Sequence, residues 1–160
     1  DTVEPMIQCD FCQFWIHQNC DSTLSDQKMS EFENHSTKKY RCEVCRKQKE
    51  NDKILKIIRE LRKEDRYNLF QDAIDSEKVT NYYTVIKEAM CFNDLQDKAD
   101  SGLYVNNIIQ LVNDFELICK NALLFNMPKT NYFKEAKRLW ESGVKILNQN
   151  IPTVMKEARE

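Results

Sequence analysis

The sequence predicts a mainly α protein, a four-helix bundle preceded by a small metal-stabilised module. Three observations lead there. Only two glycines and three prolines occur among 160 residues, which disfavours the turn-rich build of an all-β fold. Beyond residue 51, apolar side chains recur at three- and four-residue intervals, the period of amphipathic helices. Five of the seven cysteines fall within the first 45 residues. In a chain with no secretory signal, that clustering and the odd total favour metal binding over disulfides.

The length fits one domain or two small ones. Hydrophobic residues make up 41% and charged residues 31%, enough to pack a core beneath a mixed-charge surface. Net charge is -2, with 7 basic and 9 acidic side chains in residues 1–50 and 17 of each in residues 51–160. This is not the electrostatic footprint of a dedicated nucleic-acid binder. No run is long enough to span a membrane and no signal peptide opens the chain, so a nuclear or cytosolic protein is expected.

Along the chain, the first pattern is Cys9-x2-Cys12-x4-His17-x2-Cys20, followed 21 residues later by Cys42-x2-Cys45. Thiolates two residues apart can chelate one tetrahedral zinc, which takes four ligands. Six ligands exceed one ion and fall short of two. A RING finger is excluded by ligand order, and a zinc knuckle needs four residues between its histidine and last cysteine where this chain has two. Trp15 is either core or a ligand wall, and Asp10 reads as a solvated carboxylate. His35 lies in a Ser/Asn/Lys-rich insert expected to be exposed. The charged stretch from Arg46 to Lys53 contains neither Gly nor Pro and is expected to pass straight into the next helix.

The order Cys-Cys-His-Cys-Cys-Cys, with Trp15 two residues before His17, resembles the last six ligands of a PHD finger. The run from Met6 to His17 and the closing Tyr40-Arg41-Cys42-Glu43-Val44-Cys45 share the resemblance. It implies a zinc-stabilised cross-brace over residues 1–48. Cys9, Cys12, Cys42 and Cys45 would hold one zinc. His17 and Cys20 would form half of a second site, completed by a Cys pair upstream of Asp1 in a longer protein. In PHD fingers that read methylated lysine, residues at the positions of Trp15 and Met6 form walls of a cage, since a quaternary ammonium is drawn to the indole face.

Ile54, Leu55, Ile58 and Leu61 mark a first helix from about Asp52 to Phe70. A long irregular connection from Gln71 to about Phe92 carries Val79, Tyr82, Tyr83 and Ile86, an aromatic and β-branched content that argues against disorder. A short helix, Asn93 to Ala99, ends at Asp100-Ser101-Gly102. Ile108, Leu111, Val112, Phe115, Ile118, Cys119 and Ala122 define a long helix reaching Asn126. Pro128 forbids its continuation, and a last helix begins near Tyr132 with Thr130 or Asn131 as its cap. Four helices with one long first connection make a bundle. Cys91 and Cys119 are expected as free thiols. Two roles are open to Asn126: a helix or loop cap, or a ligand-gripping carboxamide that donates and accepts at once.

Phe70-Gln71-Asp72-Ala73-Ile74-Asp75, then Asn81 to Met90, then Asn121-Ala122-Leu123-Leu124-Phe125-Asn126 resemble a bromodomain in order and spacing. The resemblance assigns residues 49–160 to this fold, a left-handed four-helix bundle that binds acetyl-lysine between its first long loop and its last. Asn126 would donate to the acetyl carbonyl and Tyr82 would hold it through a water. Phe70, Ile74 and Val79 would form the slot wall, Tyr132 the gatekeeper, and Phe125 would stand beside the asparagine. Tyr83 reads as core. The family's Trp-Pro before Phe70 is Asn68-Leu69 here, and its Pro-Met-Asp is Ala89-Met90-Cys91, without the usual helix cap. An unmodified ammonium would enter an apolar slot with no carboxylate placed to receive it.

The function expected is a nuclear chromatin reader of acetylated histone tails, with the finger reading methylated or unmodified lysine on the same tail. Zinc is the cofactor and other chromatin-complex subunits are partners. No chemistry, no sequence-specific nucleic acid and no membrane are expected. The alternative is a structural interaction module with a degenerate slot.

Overall fold

The computed structural model describes residues 4–35 and 37–157. The chain divides into two compact units, residues 1–49 and 50–160.

In the first unit, β1 (Met6–Gln8) and β2 (Trp15–His17) pair antiparallel, with Met6 opposite His17, Ile7 opposite Ile16 and Gln8 opposite Trp15. Strand alternation puts Ile7 and Ile16 on the half-buried face and Met6, Gln8, Trp15 and His17 on the exposed one. The segment leading to His35 holds helix α1 (Asp26–Asn34). The Ser25 side chain caps it by accepting from Lys28 N, and Met29 anchors it in the core. His35, its C-cap, is exposed. Asp10 is not simply solvated: its Oδ2 accepts the Tyr40 backbone N–H at 2.6 Å.

The core of this unit is small: Cys9, Leu24, Met29, Tyr40 and Cys42. Beside it lies Asp21, only 1% exposed. It accepts from Tyr40 Oη (2.7 Å), Arg46 Nη2 (2.8 Å) and Thr23 Oγ1 (2.7 Å). Burial alone would raise its carboxyl, but these donors outweigh burial and hold it well below the usual carboxylate range. Asp21→Ala would strand a guanidinium and a buried hydroxyl. Breaking a buried pair costs about 3–5 kcal/mol; Arg46 is a third exposed, so about 3 kcal/mol is expected. Urea unfolding of the variant, followed by signals from residues 4–49, measures it.

Helix α2 (Glu43–Lys63) begins earlier than expected, because nothing in its first turns breaks a helix. It also ends before Phe70. Beyond it, the buried Asp65 carboxylate accepts Leu69 N, Phe70 N and Gln71 Nε2 (2.9, 2.9 and 2.6 Å), turning the chain away from the helix axis. The long connection contains one short helix, α3 (Tyr82–Val85), and closes where Phe92 N and Asn93 N donate to Phe70 O and Gln71 O. Helices α4 (Phe92–Asp100), α5 (Ile108–Phe125) and α6 (Asn131–Glu157) complete the unit. Thr130 Oγ1 accepts from Phe133 N at the start of α6.

Ile54, Ile57, Ile58 and Leu61 of α2 join Phe92, Leu95, Phe115, Ile118 and Leu139 in one core. Arg138 of α6 ties to the Glu64 carboxylate and carbonyl at the end of α2. Gly143 of α6 faces the fully buried Phe115, and a β-carbon there would drive into the phenyl ring. Gly143→Ala gains up to about 1 kcal/mol of helix propensity, yet overpacking outweighs it. A net loss of about 2 kcal/mol, and a melting point lower by roughly 10 °C, is expected in a thermal scan.

Candidate functional site

A cavity opens between the long connection, the start of α4 and the C-terminal end of α5. Phe70, Ile74, Tyr82, Asn126 and Tyr132 all line it. Each arrives by a separate local device. The Asp65 carboxylate holds the Phe70 amide. Tyr83, expected as core, is 42% exposed; its hydroxyl donates to Ile74 O at 2.6 Å and fixes the turn that presents Ile74. Tyr82 sits in α3 at 7% exposure, its ring edge-on to Phe125 at 4.9 Å. Its hydroxyl has no hydrogen-bond partner among the described residues, and burial pushes its pKa up, so it stays protonated at neutral pH.

Asn126 is the C-cap of α5 at φ -95°, ψ 146°. Its Nδ2 donates to Ala122 O at 2.9 Å, so one N–H is engaged in capping; the other N–H and Oδ1 have no partner among the described residues. Ile118 and Ala122 line the cavity on the same face of α5, eight and four residues before Asn126. Two residues expected at the acetyl-lysine site, Val79 on the slot wall and Phe125 beside the asparagine, are not in the lining. Phe125 is rotated about 100° from Asn126 by the helical period, and instead buttresses Tyr82. Val79 is half-buried, and its carbonyl accepts Tyr82 N at 3.2 Å.

The lining also overturns an expectation about charge. Asp72 and Asp94 both line the cavity, which the expectation of a carboxylate-free slot did not anticipate. Nor is the start of α4 uncapped. Cys91 occupies the cap position, and Asp94 Oδ2 accepts its N–H (2.9 Å) and its thiol (3.1 Å). Burial and the Asp94 carboxylate push the Cys91 thiol up, and burial pushes Cys119 up to about 12; both are free, neutral thiols.

In the first unit, Cys9, Cys12, Cys42 and Cys45 converge, with all four Sγ atoms within 4.8 Å of one another. The Cys9–Cys45 and Cys12–Cys42 separations are 3.9 and 3.7 Å. A tetrahedron with metal–sulfur bonds of about 2.3 Å has an edge of about 3.8 Å, so the cluster fits one ion. Burial would raise the Cys9 thiol, but backbone N–H groups of Cys42, Cys12 and Phe11 pull it down to about 6. Burial and the neighbouring thiols push Cys45 up to about 12. His17 Nδ1 and Cys20 Sγ lie 4.0 Å apart and exposed, with no further metal-binding side chains grouped with them among the described residues. Met6 and Trp15 are 40% and 60% exposed, diagonal neighbours on the open face of the hairpin, so Trp15 is not core.

The Bromodomain family profile matches residues 54–138. The chain belongs to the bromodomain family. Bromodomain-containing protein 7 of Mus musculus is 34% identical over 93 residues, 58% of this chain and 14% of that protein. A putative histone-lysine N-methyltransferase 1 of Plasmodium falciparum is 28% identical over 151 residues, 94% of this chain but 2% of that protein. The chain therefore spans a small part of the curated relatives it matches. A crystal structure of a hypothetical bromodomain from Trypanosoma brucei, in complex with bromosporine, superposes with a TM-score of 0.59 at 22% identity, covering 62% of this chain and 86% of that one.

Within this bromodomain fold, two residues that tie down the long connection were given no role by the sequence. Arg62 of α2 donates to Gln71 Oε1, Asn93 Oδ1 and Phe92 O, clamping both ends of the long connection. Buried Asn121 donates to Glu88 O at 2.7 Å. Both look like ordinary polar positions in a helix, and only long-range partners give them their roles.

Proposed function

We propose that residues 50–160 bind acetylated lysine on a histone tail, in a nuclear chromatin protein. The observation that carries this reading is the convergence of a free carboxamide N–H on Asn126 and an unpartnered Tyr82 hydroxyl in one largely apolar cavity. Acetylation removes the lysine charge, so the alkyl stem can lie between Phe70, Ile74 and Tyr132. The remaining Asn126 N–H donates to the acetyl carbonyl, and Tyr82 reaches it through a water. Val79 and Phe125 act from behind, by holding Tyr82. Oriented polar groups in an apolar cleft give such a site its specificity.

We further propose that residues 1–49 are a PHD-type finger, with zinc held by Cys9, Cys12, Cys42 and Cys45. Thiolate sets of this kind select zinc, which would supply structural cross-linking and no reaction. His17 and Cys20 contribute half of a second site. Trp15 and Met6 offer an indole face and a polarizable side chain to a methylated ammonium on the same tail. The chain binds and performs no chemistry; other subunits of a chromatin complex are its further partners.

Calorimetry with acetylated and unmodified versions of one peptide tests the central reading. At least tenfold tighter binding of the acetylated form, about 1.4 kcal/mol, is expected. Equal affinities would exclude it. A second reading, a structural module whose Asn126 only caps α5, is favoured by the bond to Ala122 O. It forecasts no acetyl preference at all.

A further inference from the structure

Two carboxylates line the cavity, and no lysine or arginine does. A neutral acetyl amide needs neither. Asp94 is accounted for by the fold, since its Oδ2 caps α4 through Cys91. Asp72 is different. It lies at the exposed edge of the cavity, with Oδ1 accepting from Asn93 Nδ2 at 2.7 Å. Asn93 is itself held by Arg62 Nη1 at 3.0 Å, so the Asp72 carboxylate has a fixed orientation. No cationic side chain forms an ion pair with it among the described residues. The cationic groups of the same connection are engaged elsewhere: Lys78 pairs with Asp75, and Lys87 donates to Thr84 O. Glu77 and Glu88 of the same connection are exposed as well. Independently, the Tyr82 hydroxyl, on a side chain only 7% exposed, lines the same cavity without a protein partner and marks it as a place for a ligand.

We propose that Asp72 is a specificity-determining residue that selects peptides in which a lysine or arginine neighbours the acetylated lysine. The acetylated side chain fills the cavity while the adjacent cation pairs with the oriented carboxylate at its edge. This rests on the acetyl-lysine reading and names the sequence context that site accepts. The pair is partly solvated, so its contribution is modest and screened by salt.

Fluorescence anisotropy on the full chain tests it with two acetyl-lysine peptides, one flanked by alanines and one flanked by lysine or arginine. The cationic peptide is expected to bind about three- to tenfold tighter at low salt, with the ratio shrinking as salt rises past about 0.3 M. In Asp72→Asn the ratio of the two affinities should collapse to about one, whatever their absolute values. Equal affinities in the parent chain, or a preference that survives Asp72→Asn, overturns the proposal while leaving acetyl recognition standing. If neither acetylated peptide binds, the acetyl-lysine reading itself fails and this proposal falls with it.

Discussion

Chelation of the zinc proposed at Cys9, Cys12, Cys42 and Cys45 should unfold the first unit and leave the helices of the second folded. The first unit has a core of five buried apolar residues, and a domain this small seldom reaches stability without a metal or disulfides. A structural zinc supplies an apparent 10–16 kcal/mol or so near neutral pH, more than such a core could replace. The second unit has its own, larger core and should keep its helices. Binding is also pH-dependent. Without metal, burial holds Cys42 and Cys45 protonated at pH 7, whereas the backbone N–H groups around Cys9 pull its pKa down to about 6. Zinc needs all four as thiolates, so it displaces protons on binding, and its affinity falls as pH drops from 7 towards 5. A chromogenic chelator would count the zinc released, and amide NMR would show dispersion lost for residues 4–49 and retained for 54–138. Dispersed signals from residues 4–49 in excess chelator would contradict the proposed metal role.

Asn126→Ala should weaken acetyl-peptide binding by about 1–3 kcal/mol, or five- to 150-fold, and lower stability by less than about 1 kcal/mol. The asymmetry follows from the geometry of the cap. Ala122 O already accepts the Asn126 backbone N–H at 3.1 Å, so losing the side-chain bond leaves that carbonyl satisfied. Nor does the backbone need an asparagine, because φ of -95° is open to any residue. What the variant loses without replacement is the second N–H, the one proposed to meet the acetyl carbonyl. Calorimetry and a thermal melt on the same variant separate the two roles. A protein that melts several degrees early yet binds the acetylated peptide as before would reduce Asn126 to a cap.

The helical spacing of Ile54 to Leu61 and of Ile108 to Ala122 was enough to specify a helical bundle, because burying one face of a helix requires that period. Pro128 and Thr130 likewise placed the break between α5 and α6, being local chemistry. The four paired cysteines announced a metal-binding module through spacing alone, though their assignment to one cluster came by resemblance. Tertiary structure decided the rest. Whether Asp65 is a surface acid or the hub that turns the chain towards Phe70 depends on amides four to six residues away, folded back onto it. The polar insert before Tyr40 became a helix because Met29 had a core to enter. Asp94 and Arg62 carry no periodic or motif signal, and Asp72 and Asn121 lie within the bromodomain-like runs without a role assigned to them. Their roles come from partners up to 33 residues distant, which periodicity and motif spacing do not reveal. By itself the sequence determined which faces must be buried and where helices must stop. Only the fold decided which polar groups meet at the cavity, because a hydrogen bond depends on position in space rather than order along the chain.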